Sequence, residues 1–213
     1  MSMWYRYSQD RMGESLHVFD IDDTLFHTTA NVLVKDKTTG QLLKSLSNQD
    51  FNNYNLGPNE YFDFSEFRDS QKFNQESTPI EPMLRKMRAV HQNVSKYPGS
   101  KVIINTARSD FDSKDPVLDT FKDWGIPMDQ GIHLHRAGNI PGDDLPAQKK
   151  NVVLRQYLDN PENDFRRVHF YDDSKTNLAH FLQLQQEYPH IDFNAYHVTP
   201  EGKATTWPQK EGK

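Results

Sequence analysis

The chain has 213 residues, no cysteine and a formal net charge of −5 at neutral pH. Without a thiol it has no disulfide, zinc–thiolate site, iron–sulfur cluster or cysteine nucleophile, and we expect a reducing, cytoplasmic compartment. The mildly acidic balance gives no bulk electrostatic support for nucleic acid as a partner. No apolar run approaches the roughly 20 residues that span a bilayer, and the N-terminus does not resemble a signal peptide, so we expect no membrane association.

Five short segments of the chain have the composition and patterning of β-strands. They are Leu16–Ile21, Lys101–Thr106, Gly131–Arg136, Arg167–Asp172 and Asp192–Val198. Each gap between consecutive strands contains one amphipathic helical pattern. This alternation predicts an α/β fold, a Rossmann-like, doubly wound parallel sheet whose ligand site lies at the carboxyl ends of the strands. We predict a core domain made of residues 14–26 and 78–199.

A long segment interrupts this alternation between the first strand and its helix. Residues 27–77 are far too many for an ordinary loop, and we interpret them as a small inserted cap. Within it, residues 31–47 contain two apolar runs around a Thr38-Thr-Gly40 turn, which predicts a β-hairpin. Residues 200–213 are polar and are predicted to form a poorly ordered tail.

The predicted cap is rich in aromatic side chains. They are Phe51, Tyr54, Tyr61, Phe62, Phe64 and Phe67. Such rings either stack on nucleic-acid bases or form the hydrophobic core of the cap itself. We favour the second interpretation.

The first predicted strand ends in two aspartates, Asp20 and Asp22, separated by one residue. Side chains alternate along a strand, so both carboxylates project to the same side. Two carboxylates so close repel by about 4 kcal/mol at an effective dielectric of 20, and a cation or a shared proton would relieve this repulsion. The alternative is a solvated acidic turn. A calcium loop fits poorly, because Leu25 stands where such a loop has glycine.

Residues able to bind phosphate stand at two places, the end of the second strand and the start of the third helix. Thr106 offers a hydroxyl at the strand tip, and Arg108 offers a guanidinium that can make a bidentate contact. Lys149 and Lys150 stand at the start of the third helix, where a cation is unfavourable unless it has a function. We predict that Lys149 points into the site, because this leaves the apolar side chains of the helix to the core. Taken singly, each residue also fits an ordinary structural role.

A second acidic pair, Asp172 and Asp173, ends the fourth predicted strand. Clusters of carboxylate oxygens suit Mg²⁺, which keeps several waters and binds through a few carboxylates and the phosphate of its substrate. Mn²⁺ suits the same ligands. The four acids together therefore predict a site for a divalent cation, for which we expect Mg²⁺.

The order of these motifs along the chain is far more specific than any one of them. An Asp-x-Asp-x-Thr sequence begins at Asp20, a threonine ends the second strand, a lysine begins the third helix and an Asp-Asp pair ends the fourth strand. In this order the chain resembles the haloacid-dehalogenase (HAD) superfamily over residues 16–198. Through Thr106-Ala-Arg108 and the lysine that precedes Asn151-Val-Val, it has a weaker similarity to the phosphatase domain of polynucleotide kinase/phosphatases.

The resemblance implies a magnesium-dependent phosphatase that forms an aspartyl-phosphate. Asp20 would be the nucleophile and Asp22 the acid/base, with Thr106 and Lys149 binding the phosphate and Arg108 adding a contact. The implied metal ligands are Asp20, Asp22 (through its backbone carbonyl), Asp172 and Asp173. The substrate would be a phosphorylated small molecule, a nucleotide or a nucleic-acid end, and we expect no obligate protein partner.

Other functions share parts of this pattern. A response-regulator receiver also combines aspartates, a threonine and a lysine, but it carries its acidic pair first and its lone phosphorylated aspartate on the third strand. A phosphomutase would pass the phosphoryl group to a sugar instead of water. A dehalogenase would not need Asp22, since a halide leaves without a proton. A non-catalytic protein on the same fold is disfavoured, because every chemical position is filled.

Overall fold

The computed structural model describes residues 13–51 and 53–208. The strands are β1 (Glu14–Phe19), β2 (Phe26–His27), β3 (Val32–Asp36), β4 (Leu42–Leu46), β5 (Glu60–Asp63), β6 (Thr78–Pro79), β7 (Lys101–Thr106), β8 (His133–Arg136), β9 (Phe165–Asp172), β10 (Asp192–Val198) and β11 (Ala204–Trp207). The α-helices are α1 (Asn48–Phe51), α2 (Ser70–Glu76), α3 (Glu81–Val94), α4 (Asp115–Asp123), α5 (Pro146–Leu158) and α6 (Lys175–Glu187). Two 3₁₀ helices cover Ser65–Arg68 and Ala137–Asn139. No helix within the described ranges has the length and apolarity that crossing a membrane requires.

The main sheet has six strands in the order β11-β10-β9-β1-β7-β8. All neighbours are parallel except β10 and β11, which are antiparallel. The predicted α/β, Rossmann-like fold class is therefore confirmed. After β8 the chain crosses back to form β9 on the other side of β1, so the strand order reverses beside β1. In open α/β sheets, ligands bind at the carboxyl ends of the strands at such a reversal.

Apolar side chains cover both faces of this sheet. On one face, Met87 of α3 belongs to the same buried cluster as Phe19 of β1. On the other face, Leu154 of α5 and Phe181 of α6 belong to the same buried cluster as Val18. A slip of one residue would move each β1 side chain to the opposite face and disrupt both packed clusters, so packing fixes the register of β1. The same register fixes where Asp20, the residue after β1, lies.

The inserted segment builds a second, antiparallel sheet in the order β4-β3-β5. The predicted hairpin is confirmed as β3 and β4. Strands β2 and β6 pair with each other and form a two-stranded neck between the insertion and the core. Phe51, Tyr54 and Phe62 pack against the buried cluster of this small sheet, and the Phe51 and Phe62 ring centroids are 4.9 Å apart. These three rings thus serve as core, whereas Tyr61 and Phe64 are exposed.

The last helix of the inserted segment packs on the core domain. Phe73 of α2 is buried in the same cluster as Phe19 and Phe121 of α4, and its ring centroid lies 6.2 Å from that of Phe121. Asn74 of α2 donates hydrogen bonds to the Pro116 carbonyl and the Thr120 hydroxyl. Residues 70–76 therefore connect the cap physically to the core, close to the loop after β7.

The prediction of a poorly ordered polar tail is wrong for Ala204–Trp207. These residues form β11, the antiparallel edge strand of the main sheet. Gly202 adopts a φ of 83°, a left-handed conformation that glycine reaches without strain, and turns the chain back. The β-branched and aromatic residues that follow favour a strand, and Trp207 packs against the cluster around Val18. Residues 209–213 lie outside the described residues.

Candidate active site

Three of the predicted site residues meet at the carboxyl ends of adjacent parallel strands. Asp20 follows β1, Thr106 ends β7 and Asp172 ends β9, and all three are buried. The backbone N–H of Asp20 donates to the carbonyl of Tyr171 at 3.1 Å, which continues the pairing of β1 with β9 as far as the site. The Thr106 hydroxyl accepts a hydrogen bond from the backbone N–H of Arg108 at 3.2 Å. The sheet therefore brings together residues that are far apart in sequence.

A tight turn after β1 positions the first aspartate of the pair, Asp20. The backbone N–H groups of Leu25 and Phe26 both donate to the Ile21 carbonyl. Asp23 adopts a φ of 59°, a left-handed conformation that aspartate tolerates better than most residues. Within this turn, the Thr24 hydroxyl donates to Asp20 Oδ2 at 3.2 Å. The turn thus fixes one carboxylate of the Asp-x-Asp pair directly.

The lysine at the site is Lys150, and the prediction of Lys149 is wrong. Lys150 Nζ lies 2.7 Å from Asp20 Oδ1 and 2.7 Å from Asp172 Oδ2. Lys150 is 1% exposed, whereas Lys149 is partly exposed. Successive residues of an α-helix point about 100° apart. Lys150 lies on the buried face of α5 together with Ala147 and Leu154, which are three and four residues away. The prediction of Lys149 took Val152 and Val153 as the guide to the buried face and so missed this spacing.

The ammonium of Lys150 stays charged in this buried position. Burial alone would lower the pKa of Lys150, but the carboxylates of Asp172 and Asp20 outweigh burial and raise that pKa. Asp172 is held in place by further donors: the backbone N–H of Ser174 at 2.8 Å and the side-chain amide of Asn177 at 3.0 Å. One cation is therefore shared between two buried acids.

Three carboxylates form a cluster at this end of the sheet. Oxygen atoms of Asp20, Asp172 and Asp173 lie within 4.8 Å of one another. Burial, with the charges of Asp172 and Asp22, raises the pKa of Asp20 to about 7, although Lys150 opposes the shift. Burial, with the charges of Asp172 and Asp20, raises the pKa of Asp173 to about 9. Acids whose ionisation is opposed by burial and by their mutual repulsion are a donor set that a divalent cation would stabilise, and oxygen donors suit Mg²⁺.

The side chain of Asp22 lies outside this cluster and is bound by Arg108. The Arg108 guanidinium donates from Nε to Asp22 Oδ2 at 2.9 Å and from Nη2 to Oδ1 at 2.6 Å. The Thr28 hydroxyl also donates to Asp22 Oδ1, at 2.6 Å. Burial alone would raise the pKa of Asp22, but Arg108 and then Thr28 outweigh it and lower that pKa. Asp22 is therefore a fully paired carboxylate.

Arg108 was expected to contact phosphate, and the structure places it elsewhere. Its planar fork is engaged with Asp22, and Nη1 donates to the carbonyl of Phe67 in the cap at 2.8 Å. The Arg108 side chain is only 2% exposed. A buried guanidinium needs a counter-charge, and the carboxylate of Asp22 is the partner within reach. The sequence could not show this pairing, because 86 residues separate the two side chains.

Several residues of the site were missed by the sequence analysis. Thr28 binds Asp22, and Ser174 and Asn177 bind Asp172. Ser174 also caps α6 by accepting a hydrogen bond from the backbone N–H of Asn177. A serine just before a helix is a recognisable capping signal, and it would have pointed to Ser174. No comparable signal marks Thr28.

Comparisons with known proteins add a distant structural likeness. No protein-family model and no curated protein matches the chain. Solved structures similar to it include the HAD domain of the effector protein Lem4 from Legionella pneumophila and an inactive mutant of that domain. Each is 11% identical to this chain with a TM-score of 0.49, over 88% of this chain and 88% or 87% of the other. A likeness of this size carries no information about the site.

Proposed function

We propose that this chain is a HAD-type, Mg²⁺-dependent phosphatase that hydrolyses a phosphate monoester through an aspartyl-phosphate on Asp20. The observation that carries the proposal is the surroundings of Asp20. Its carboxylate touches the Lys150 ammonium at 2.7 Å and belongs to the cluster with Asp172 and Asp173. An anionic nucleophile can approach an anionic phosphate only where positive charge offsets their repulsion. Lys150 and a cation held by the acids would provide that charge.

In the proposed reaction, an oxygen of Asp20 attacks phosphorus, and the bond from phosphorus to the ester oxygen breaks. Asp22, whose pKa is lowered by Arg108, first has to take up a proton; it then gives this proton to the leaving oxygen and later accepts one from the water that hydrolyses the aspartyl-phosphate. Thr106 and Lys150 bind the oxygens of the transferred group. When bound by Asp20, Asp172, Asp173 and the backbone carbonyl of Asp22, Mg²⁺ supplies charge neutralisation between the carboxylates and the phosphate.

We propose no narrower substrate class than phosphate monoesters, which include small molecules, nucleotides and nucleic-acid ends. The exposed rings of Tyr61 and Phe64 on the cap are a surface on which a base can stack. Most other cap aromatics are already packed in its core, which limits the support for a nucleic-acid substrate.

The test is phosphate release with and without Mg²⁺ by the parent protein and by Asp20→Asn. The substrates are an aryl phosphate, 5′- and 3′-nucleotides and a 3′-phosphorylated oligonucleotide. We expect Mg²⁺-dependent release by the parent and a loss of at least about 10³-fold in the variant, because removing a nucleophile leaves only the residual catalysis of the site. The matched control is Asp164→Asn, which changes a side chain that is 71% exposed and should leave the rate unchanged.

Two results would contradict the proposal. Release that persists in Asp20→Asn, with parent-like kinetics, would exclude Asp20 as the nucleophile. No release from any ester by correctly folded parent protein would favour a phosphomutase or a non-catalytic phosphate-binding protein.

A further inference from the structure

The loop after β7 contacts the cap and the Asp-x-Asp turn at once. Arg108 donates to the carboxylate of Asp22 through Nε and Nη2 and to the carbonyl of Phe67 through Nη1. Asp22 belongs to the core domain, and Phe67 belongs to the 3₁₀ helix of the inserted segment. One guanidinium therefore joins the proposed acid/base to the backbone of the cap.

A second residue of the same loop holds the same part of the cap. The backbone N–H of Asp112 donates to the carbonyl of Arg68 at 2.8 Å. The Asp112 carboxylate accepts a hydrogen bond from the backbone N–H of Ser70 at 3.0 Å. The loop thus binds the cap at Phe67, Arg68 and Ser70, and of these three contacts the one from Arg108 to Phe67 continues to Asp22.

Aromatic rings enclose the Arg108 guanidinium. Its Cζ lies 4.8 Å from the ring centroid of Phe67, 5.2 Å from that of Phe73 and 5.3 Å from that of Phe111. Phe67 and Phe73 come from the inserted segment, and Phe111 comes from the loop itself. Phe73 is also buried in the core cluster, whereas Phe67 belongs to the buried cluster of the cap sheet. Displacement of the cap segment that contains Phe67 would therefore remove one of the three rings and expose the ion pair to water.

The loop is anchored to the core on its other side. The backbone N–H of Gly138 donates to the Arg108 carbonyl at 3.1 Å, and a Cβ at position 138 would lie 2.4 Å from the Ala107 carbonyl oxygen. Asp110 and Asn139 also exchange hydrogen bonds. The backbone of Arg108 is therefore held by the core, and its side chain is the part that connects to the cap.

We propose that Arg108 is a positioning residue that couples docking of cap residues 65–70 to the orientation of the Asp22 carboxylate. Arg108 acts on the reaction through Asp22 and not by binding phosphate. The inference rests on the proposed function for its catalytic consequence, since Asp22 is the acid/base there. Displacement of the cap segment removes the Phe67 carbonyl from the guanidinium and exposes the Arg108–Asp22 ion pair to water, which loosens the orientation of the Asp22 carboxylate. Conversely, loss of the Asp22 charge leaves the guanidinium less well oriented and weakens its hydrogen bond to the Phe67 carbonyl of the cap.

The first test is the reciprocity of this coupling, measured by hydrogen exchange of the backbone amides of residues 65–70. Arg108→Lys keeps the charge but loses the planar fork, and Asp22→Asn removes the charge at the other end. We expect both variants to raise the exchange rate of this segment by about tenfold, because coupling between two sites works in both directions. Arg166→Lys, the same substitution at an exposed arginine, should leave the rate unchanged. Unchanged exchange in both Arg108→Lys and Asp22→Asn would overturn the coupling, whether or not the protein is a phosphatase.

The second test separates positioning from phosphate binding. The alkoxide that leaves an alkyl phosphate needs a proton from an acid, whereas the nitrophenolate that leaves a nitrophenyl phosphate is stable without one. If Arg108 positions the acid, Arg108→Lys should lower kcat for the alkyl ester by about 10²-fold and should lower kcat for the nitrophenyl ester much less. The KM of both esters should stay nearly unchanged. An equal loss for both esters with a raised KM would show that Arg108 binds phosphate and would refute the positioning role. Absence of activity in the parent would instead refute the proposed function, and hydrogen exchange would still decide the coupling.

Discussion

The two aspartates of the Asp-x-Asp turn have opposite electrostatic surroundings, although a single residue separates them. Burial and the neighbouring Asp172 raise the pKa of Asp20 to about 7, against the influence of Lys150. For Asp22, burial acts in the same direction, but the Arg108 guanidinium outweighs it and lowers the pKa. The backbone brings both carboxylates to one end of the sheet, and because other elements surround them with different side chains, their pKa values shift in opposite directions.

The negative charge around Asp20 is only partly balanced by positive charge, whereas the charge of Asp22 is fully balanced. Asp20 shares Lys150 with Asp172, so the three acids of its cluster have one lysine among them. Asp22 has a bidentate partner of its own. A site for a nucleophile that also binds a cation needs unbalanced negative charge, whereas an acid/base needs a defined orientation. The geometry suits these two roles, but Asp22, kept ionised by its pairing with Arg108, has to take up a proton before it can act as the acid.

Among substitutions that change the surroundings of the two aspartates, Lys150→Met is expected to have the largest effect on stability and activity. The substitution leaves Asp20 and Asp172 buried without their common counter-charge, and breaking a buried ion pair in this way costs about 3–5 kcal/mol. The free energy of unfolding, measured with urea, should fall by this amount, and phosphate release should be lost. Lys149→Met on the same helix is the matched control and should change stability by less than about 0.5 kcal/mol. Equal effects of the two substitutions would show that Lys150 is not the residue that balances Asp20.

A smaller effect is expected from Asp173→Asn. The pKa of Asp173 in the folded state is raised to about 9, above the value of about 4 for an unfolded aspartate. The folded state therefore binds the extra proton between these pH values, and the metal-free protein loses stability as the pH rises through this range. Removing the charge should make the metal-free variant more stable than the parent at neutral pH.

The same variant should respond less to Mg²⁺. A ligand at 100 times its Kd stabilises the folded state by about 2.7 kcal/mol, which raises Tm by several degrees in a chain of this size. Thermal melts with and without Mg²⁺ should show this gain in the parent and in Asp164→Asn, and little of it in Asp173→Asn. If Mg²⁺ stabilises Asp173→Asn as strongly as the parent, Asp173 does not bind the metal.

The sequence predicts the parts of the molecule that depend on local pattern. The continuous apolar run Lys101–Thr106 coincides with β7 in full, because a strand buried on both faces has a distinctive composition. Asp20, Thr106 and Asp172 could be placed together, because parallel strands end at one edge of the sheet. These inferences need only the strand assignments and the direction of the chain.

The sequence does not predict what depends on side-chain rotation or distant pairing. Whether Lys149 or Lys150 points inward depends on the rotation of α5 to within about 100°, which an irregular apolar pattern does not specify. The pairing of Arg108 with Asp22 depends on where the cap lies. The edge strand Ala204–Trp207 was mistaken for a tail, because an exposed edge strand can be polar.

The smallest effect is expected from Thr28→Val, which changes the surroundings of Asp22 alone. The Thr28 hydroxyl donates to Asp22 Oδ1 at 2.6 Å, and a hydrogen bond to a charged group contributes about 1.5 kcal/mol at the lower end of its range. The contribution depends on the ionised form of Asp22, whose pKa is lowered in the folded state. It is therefore fully present above the unfolded pKa of about 4 and lost as the pH falls through the folded value. Urea unfolding at neutral pH should show the loss, and unfolding in acid should not.

The neighbouring Thr29 provides the matched control for this measurement. Its hydroxyl donates to Glu76, and its side chain is exposed, so Thr29→Val should change stability by less than about 0.5 kcal/mol at either pH. A loss in Thr28→Val that persists in acid would mean that the threonine contributes by packing and not through the charge of Asp22. A loss confined to neutral pH would confirm that the second aspartate is held as a paired carboxylate, in contrast to Asp20.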